Sequence, residues 1–177
     1  MPGKVRRIVT AINASGRSYI WSDTQLPTGE IAAGQPMRAG LWLTDSAPAS
    51  NAGLADPVPD GDIPRIAPQH RGGTVFRITD FVPESISRRD PRDLAERGAR
   101  VTADRSEKNP GFHATDTVDY AICLEGEIWA VMDEDETLMQ PGDVLIQRGT
   151  YHAWSNRSDS VCRMAFILID AQPIESR

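Results

Sequence analysis

The feature that most constrains the fold is a series of short apolar segments between His113 and Asn156, separated by turn residues. Gly, Pro and Asp fall where hairpins need them, and β-branched and aromatic residues fill the segments between. Short strands that are separated by turns every 8–12 residues or so are typical of a β-sandwich or barrel. The expected strands in this part of the chain are 119–124, 127–132, 144–147, 152–154 and 161–170.

Polar side chains in this stretch share one face of a strand. Side chains alternate across a strand, so residues that are two, four or six positions apart point to the same side. His113, Thr115, Thr117 and Asp119 have the same parity. His152 comes from a later strand, and a sheet that curls into a barrel would bring it opposite His113 and Asp119.

The spacing of these residues resembles that of the cupin superfamily. The family's first motif reads G-x5-H-x-H-x3,4-E-x6-G, and its second reads approximately G-x5-P-x-G-x2-H-x3-N. Asp119 and Gly126 match the acid and the last glycine of the first motif, so His113 falls on its first histidine and Thr115 falls where the second would be. The matches in the second motif are Gly142, Gly149, His152 and Asn156, with one residue fewer between the glycines and Gln147 in place of proline.

The resemblance covers about residues 111–171 and implies an all-β fold, the double-stranded β-helix or jelly-roll barrel of cupins. Residues 111–177 would form the barrel core. Residues 1–110 would pack on it as N-terminal extension strands, a proline-rich arm and one short helix. We therefore expect one structural domain, which the length of 177 residues also suits.

The N-terminal part of the chain shows its own strand and helix signals. The expected strands are Val5–Ile12, Arg17–Trp21, Met37–Thr44 and Thr74–Val82, the first two as a hairpin, with loop-like residues at 23–36. Residues 87–100 form the one helix candidate, in which Asp90 caps, Pro91 begins and Gly98 ends the helix. Residues 101–110 are expected to be a polar connection.

Residues 45–69 carry five prolines among many Ala, Gly and Asp residues. Such a segment is neither a helix nor a central strand. Long loops in compact domains are usually functional or mobile. The sequence leaves two alternatives open, an ordered arm or lid across the barrel or a partner subunit, and a flexible surface loop.

The resemblance implies a metal site whose ligand set differs from the usual three histidines and one glutamate. Here the ligands would be His113, Asp119 and His152, with Thr115 as a weak fourth group. Two histidines and one carboxylate can form a facial triad with open positions, which suits divalent Fe, Mn, Ni or Zn. One alternative is that the three residues have structural roles, with His152 donating to a backbone carbonyl, His113 at the surface before the first strand and Asp119 capping a turn. The other is a barrel that keeps its pocket and lacks the metal.

The same parity argument predicts a small-molecule pocket that includes Thr115, Thr117, Gln147 and Trp154. A mostly apolar pocket with a few polar groups suits a small organic acid. The resemblance then implies a metal-dependent enzyme acting on such an acid, aromatic or polyketide-like acids included. Decarboxylase or lyase chemistry is favoured over a dioxygenase reaction, and no general acid or base is identified. A non-catalytic barrel that binds a small molecule, and a protein whose dimer matters more than its cavity, are the alternatives.

Composition excludes several other classes of function. A net charge of −6 disfavours a nucleic-acid partner. No apolar run reaches 18 residues and no signal peptide is visible, so we expect a cytoplasmic protein without a membrane helix. Cys123 and Cys162 are expected to be buried free thiols, with a cross-strand disulfide as the alternative. His70 is expected at the surface, and the resemblance implies a homodimer.

Overall fold

The computed structural model describes residues 4–27, 34, 36–63 and 65–174. Within these ranges the chain is mostly β-strand, so the predicted all-β class is confirmed. The elements are β1 (Lys4–Ile12), β2 (Ser18–Pro27), β3 (Met37–Thr44), β4 (Thr74–Phe81), a 3-10 helix (Glu84–Ile86), α1 (Pro91–Glu96), α2 (Ala103–Lys108), β5 (Thr117–Glu125), β6 (Ile128–Val131), β7 (Glu136–Met139), β8 (Val144–Arg148), β9 (Ala153–Ser155) and β10 (Cys162–Asp170).

The strands form three antiparallel sheets. A five-stranded sheet has the order β3-β4-β10-β5-β8, a three-stranded sheet has the order β7-β6-β9, and β1 pairs with β2 alone. The two larger sheets share one core, because a single cluster of buried side chains contains residues of both. Its members include Val75, Ala121, Cys123, Ile128, Ala130, Met139, Trp154, Met164, Phe166 and Leu168. The architecture is therefore two facing sheets with a common interior.

Strand β5 shows how the sequence determines which face is inside. Thr117, Asp119 and Ala121 are buried, whereas Tyr120 is 41 % exposed. This alternation is the one that the parity of the sequence predicts. The turn after β5 requires Gly126, whose φ is +75° and whose missing Cβ would lie 2.7 Å from the carbonyl oxygen of Val161.

The β1–β2 hairpin covers part of the outer face of the five-stranded sheet. Leu26 of β2 packs in a second buried cluster with Leu41 and Ile78 of that sheet. Arg7 of β1 donates to the carbonyl oxygens of Leu41 and Val58, and it forms an ion pair with Asp56. The hairpin is thus held to the barrel by both apolar contacts and hydrogen bonds.

The described part of residues 45–69 is an ordered arm rather than a loose surface loop. Val58, Ile63 and Ile66 are buried and belong to the main core cluster. The amide of Gly40 donates to the carbonyl of Gly61 at 2.6 Å, which ties the arm to β3. Of the two alternatives for this segment, the structure shows the arm packed across the barrel of its own chain.

Helix α1 agrees with its predicted start and end. Asp90 accepts a hydrogen bond from the amide of Arg92 at 2.9 Å, and Pro91 is the first helical residue. Gly98 takes a φ of +90° just after the helix. The last helical residue is Glu96, so Gly98 ends the helix as predicted, in keeping with glycine's preference for the position after a helix.

The structure differs in detail from three predictions. The single predicted helix is joined by α2, which lies in the supposed polar connection and buries no residue, so it has no apolar periodicity to reveal it. Strand β7 was not among the expected strands, and it pairs with β6 as the second arm of a hairpin whose tip lies at residues 132–135. Strand β2 continues to Pro27 because it pairs with β1 along its whole length, and residues 28–33 and 35 of the predicted loop lie outside the described residues.

Candidate functional site

A cavity lies between the two facing sheets, and its empty space is about 690 Å³ when the open mouth is included. Its floor is the inner face of β3, β4, β10 and β5, which contribute Arg38, Arg77, Phe166 and Asp119. Trp154 of β9 lies on the opposite side.

Two histidines border this cavity and contact each other. His113 and His152 form an isolated antiparallel bridge, in which each backbone amide donates to the other's carbonyl at 2.9 Å. Their ring centroids are 4.5 Å apart. The backbone pairing therefore holds the two imidazoles side by side, as the two cupin-like motifs predict.

Backbone carbonyls determine which ring nitrogen of each histidine carries the proton. The Nδ1 of His113 lies 2.8 Å from the carbonyl oxygen of Gly111, and the Nδ1 of His152 lies 3.0 Å from that of Thr150. Since a carbonyl only accepts, each Nδ1 is the protonated nitrogen and each Nε2 keeps its lone pair. This is the arrangement in which a histidine binds a metal ion through Nε2.

Both histidines are neutral at pH 7. Burial lowers the pKa of His152 to about 4. Burial also lowers the pKa of His113 well below 6.5, and the neighbouring His152 lowers it further. Neutral imidazoles are the form that binds transition metals.

Asp119 places a carboxylate on the same cavity. Its Oδ1 is buried and has no hydrogen-bond partner among the described residues. Burial raises its pKa to about 6, although a hydrogen bond from Thr117 and the charge of Arg77 act in the opposite direction. A buried oxygen without a partner is costly, and a bound cation would relieve that cost.

The donor chemistry fits a divalent transition metal, but the ligand geometry is incomplete. Among the residues that the structure describes, no group of three or more His, Cys, Asp or Glu side chains is arranged to hold a metal ion. The cavity brings together two histidine nitrogens with free lone pairs and one unpaired carboxylate oxygen, without closing them into one three-ligand group.

The residues predicted for the substrate pocket are placed differently from one another. Trp154 lines the cavity, whereas Thr115, Thr117 and Gln147 are buried but are not part of its lining. The hydroxyls of the two threonines are 2.7 Å apart and bond to each other, and the amide of Gln147 donates to the carbonyl of Thr150 at 3.1 Å. The threonine hydroxyls and the amide nitrogen of Gln147 are thus used in the wall behind the cavity, whereas the Oε1 of Gln147 is buried and has no hydrogen-bond partner among the described residues. Beyond the cavity, His70 is exposed, as predicted.

Aromatic rings form the apolar wall of the cavity. The ring centroids of Trp154 and Phe166 are 5.3 Å apart, and those of Phe81 and Phe166 are 6.2 Å apart. Both pairs have edge-to-face geometry, which is favoured between aromatic rings. Trp154 also contacts His152 at 5.7 Å between centroids, so the wall adjoins the histidine pair.

Sequence reasoning missed the three arginines that line the cavity, Arg38, Arg77 and Arg89. A signal existed for Arg77, because it has the same parity in β4 as Val75 and Phe81, which are apolar and buried. A charge on the apolar face of a strand indicates a polar function inside. Arg89 lies in a connection without periodicity, so its position could not be predicted.

The sequence and the fold are similar to those of known proteins. No family model matches the chain. Phomopsin biosynthesis cluster protein C' of Diaporthe leptostromiformis is 30 % identical over 176 residues, which cover 96 % of this chain and 80 % of the relative. The cupin-domain-containing oxidoreductase virC of Hypocrea virens is 30 % identical over 106 residues, 58 % of this chain and 43 % of the relative.

Solved structures with a similar fold include a yeast cupin domain. The cupin domain of Cnp3 from Schizosaccharomyces pombe is 8 % identical and has a TM-score of 0.45, over 93 % of this chain and 87 % of that one. In the described part of the chain, no helix is long and apolar enough to cross a membrane.

Proposed function

The chain belongs to the cupin superfamily, and from this premise we propose that it is a metal-dependent oxidoreductase acting on a small organic acid. The observation that carries the proposal is the pair formed by His113 and His152, whose Nε2 lone pairs remain available in a cavity that also holds an unpaired oxygen of Asp119. The metal ligands would be these three residues, and the metal would be divalent Fe, Mn, Ni or Zn.

The reaction class comes from the relatives. Several of them are named cupin-domain-containing oxidoreductases, and others are named as proteins of fungal biosynthesis clusters. These names favour oxidation of a small metabolite over the decarboxylase or lyase chemistry that the sequence resemblance favoured. No residue of the cavity specifies decarboxylation.

A bound metal would supply Lewis-acid activation of a substrate oxygen, and iron or manganese would also supply redox chemistry. The protein's own residues would position the substrate. Trp154 and Phe166 would pack against its apolar part, and Ile66 of the arm and Leu94 of α1 narrow the cavity and limit the entry of water. The carbonyls of Gly111 and Thr150 would keep both imidazoles in the orientation that binds metal.

The test is elemental analysis of protein purified without chelator and without a nickel column. The wild type is expected to contain near-stoichiometric metal, and His113→Ala and His152→Ala are each expected to lose most of it. Mutation of residues that only hydrogen-bond to the metal's ligands lowers metal affinity by about 10- to 100-fold. Loss of a ligand itself should lower it by at least as much. His70→Ala is the matched control, since His70 is exposed and should leave metal content unchanged. Circular dichroism would verify that all variants fold.

One result of the same experiment would favour a second function. The absence of a closed three-ligand group among the described residues is what a barrel that binds a small molecule without turnover would show. A wild type that contains no metal, and takes up none on reconstitution with Fe, Mn, Ni or Zn, would contradict the enzyme proposal and favour that alternative.

We also propose that the protein is a cytoplasmic homodimer, as the family resemblance implies. Support comes from apolar side chains left exposed on the outer face of β5 and β8, where Tyr120, Val144 and Ile146 are 41 %, 57 % and 51 % exposed. Light scattering coupled to size-exclusion chromatography would show a mass near twice that of the 19.4 kDa chain, and a monomer would contradict the proposal.

A further inference from the structure

The cavity has a cationic side that the metal proposal does not use. Three arginines line it, Arg38 from β3, Arg77 from β4 and Arg89 from the connection that precedes α1. In the five-stranded sheet, β10 separates β4 from β5, which carries Asp119. Arg38 and Arg77 therefore lie toward the β3–β4 side of a cavity whose other side holds the carboxylate, whereas Arg89 contacts Trp154 of the facing sheet.

Arg77 is fixed in the cavity by contacts that leave its charge uncompensated. Its guanidinium carbon is 5.8 Å from the ring centroid of Phe166, and its Nη1 donates to the carbonyl oxygen of Ile66 at 3.3 Å. Its Nε is buried and has no hydrogen-bond partner. Among the described residues no carboxylate forms an ion pair with it, and Asp119 acts on it only at longer range.

Arg89 is held in a similar way on the mouth side. Its Nη1 donates to the carbonyl oxygen of Trp154, and its guanidinium carbon is 5.2 Å from the ring centroid of Phe81. Its Nε is also buried without a partner. Glu84 attracts it only at a distance, and the carboxylate of Glu84 accepts a hydrogen bond from Ser155 instead.

The guanidinium groups remain charged in this environment. Burial lowers the pKa of Arg77 to about 9, and repulsion by Arg38 and Arg97 contributes. Burial lowers the pKa of Arg89 to about 10. Both values leave the side chains cationic at pH 7.

Two other arginines with little exposed surface, Arg163 and Arg7, do have a negative charge beside them. Arg163 donates two hydrogen bonds of 2.6 Å to Asp80, and Arg7 forms an ion pair with Asp56. An unpaired cation in a protein interior is strongly unfavourable unless something compensates it. Arg77 and Arg89 differ from the paired arginines in that the open cavity, rather than a carboxylate, lies beside them.

We propose that Arg77 and Arg89 bind the carboxylate group of the substrate, so that this carboxylate does not bind the metal. The planar guanidinium fork matches a carboxylate with two parallel hydrogen bonds. The aromatic wall of Trp154, Phe166 and Phe81 adjoins both arginines and suits an aryl or apolar body next to that carboxylate. The inference rests on the proposed function in taking the cavity as a substrate site, and it adds the group that the substrate must carry.

The test compares phenylacetate with phenylacetamide, which has nearly the same shape and no charge. Their dissociation constants would be measured by calorimetry for the wild type, Arg77→Gln and Arg89→Gln. The wild type is expected to prefer the acid by about tenfold or more, because a hydrogen bond to a charged group contributes more than a neutral one. Each variant should lose most of that preference while its affinity for the amide stays the same.

Arg92→Gln is the matched control. Arg92 is an exposed arginine of α1, near the cavity but outside its lining, so the variant removes the same charge from the same side of the molecule. It should keep the preference for the acid within about twofold, as screening weakens exposed charges. Thermal melting would show that all variants fold. A wild type that binds both probes equally, or binds neither, would overturn the proposal.

Metal content distinguishes a failure of the arginine site from a failure of the metal site. Arg77→Gln should keep the metal of the wild type, and His152→Ala should keep the preference for phenylacetate. If instead the preference disappears in His152→Ala and persists in Arg77→Gln, the carboxylate binds at the metal and the arginine site is overturned while the enzyme proposal survives. An arginine-dependent preference in a protein that never binds metal would support the arginine site and overturn the metal proposal.

Discussion

The two sides of the cavity are built in different ways. The histidine side comes from one stretch of sequence, and each imidazole is fixed by a carbonyl only two residues away, Gly111 for His113 and Thr150 for His152. The arginine side is assembled from β3, β4 and a connection, and its contacts reach distant parts of the chain, such as Trp154 for Arg89. Local geometry thus positions the two neutral imidazoles, whereas tertiary packing positions the charged guanidinium groups.

The largest effect that we expect concerns two arginines on the same pair of strands. Asp80→Ala should lower the free energy of unfolding by about 3–5 kcal/mol, because it leaves the largely buried Arg163 without the carboxylate with which it forms an ion pair. Arg77→Gln should lower it by about 1 kcal/mol or less, since it removes one hydrogen bond to a carbonyl and an uncompensated charge. Urea denaturation at pH 7 measures both.

This pair of variants tests whether Arg77 is a structural residue, like Arg163, or a ligand-binding residue. If Arg77→Gln is destabilised as strongly as Asp80→Ala, Arg77 is a structural residue and its position in the cavity is not evidence of a ligand. If Arg77→Gln is as stable as the wild type or more stable, the unpaired charge is a cost to the fold that a ligand would offset.

A second prediction concerns the pH dependence of stability on the histidine side, measured on chelator-treated protein. Folded His152 stays neutral down to pH about 4, whereas an unfolded histidine protonates near pH 6.5. The unfolded chain therefore binds more protons in this range, and stability falls as pH falls from 6.5 to 4. At about 1.4 kcal/mol for each pKa unit, this group alone would cost about 3 kcal/mol. The lowered pKa of His113 acts in the same direction.

Asp119 acts in the opposite direction. When folded it keeps its proton up to pH about 6, whereas an unfolded aspartate releases it near 3.8, so it adds stability as pH falls from 6 toward 3.8. Asp119→Asn removes this compensation and should lose about 3 kcal/mol more than the wild type between pH 6.5 and 4. Parallel stability profiles of the two proteins would show that Asp119 is not buried with a raised pKa.

The smallest effect is expected at Gly111, where the two sides of the cavity meet. Its carbonyl accepts from His113, and a Cβ at this position would lie 2.5 Å from Nη1 of Arg89. Gly111→Ala should shift the flexible end of Arg89 without removing its charge or changing the carbonyl. We expect a few-fold weaker affinity for phenylacetate and unchanged metal content, by calorimetry and elemental analysis. Loss of metal in this variant would mean that the two sides are not independent.

The sequence predicted the histidine side because strand parity and motif spacing are local properties. The alternation of Thr117, Asp119 and Ala121 in β5 and the placement of Trp154 at the cavity follow from them. Parity gives the face of a strand but not the partners of a polar atom. Thr115, Thr117 and Gln147 therefore lie behind the cavity, bonded to neighbours that parity does not identify.

The arginine side and helix α2 could not be predicted for related reasons. Arg89 reaches the cavity from a connection without periodicity, and its partner Trp154 lies 65 positions later in the chain. Helix α2 buries no residue and is held instead by Arg105, which forms an ion pair with Asp133 and lies 4.1 Å from the ring centroid of Tyr151. Such long-range polar contacts leave no pattern in a single sequence.

The decisive experiment measures two properties, metal content and the affinity for phenylacetate and phenylacetamide, in both His152→Ala and Arg77→Gln. We expect His152→Ala to lose metal and to keep its preference for the acid over the amide. We expect Arg77→Gln to keep metal and to lose that preference. Loss of both properties in either folded variant, or retention of both, would contradict a cavity with a metal-binding side and a separate carboxylate-binding side.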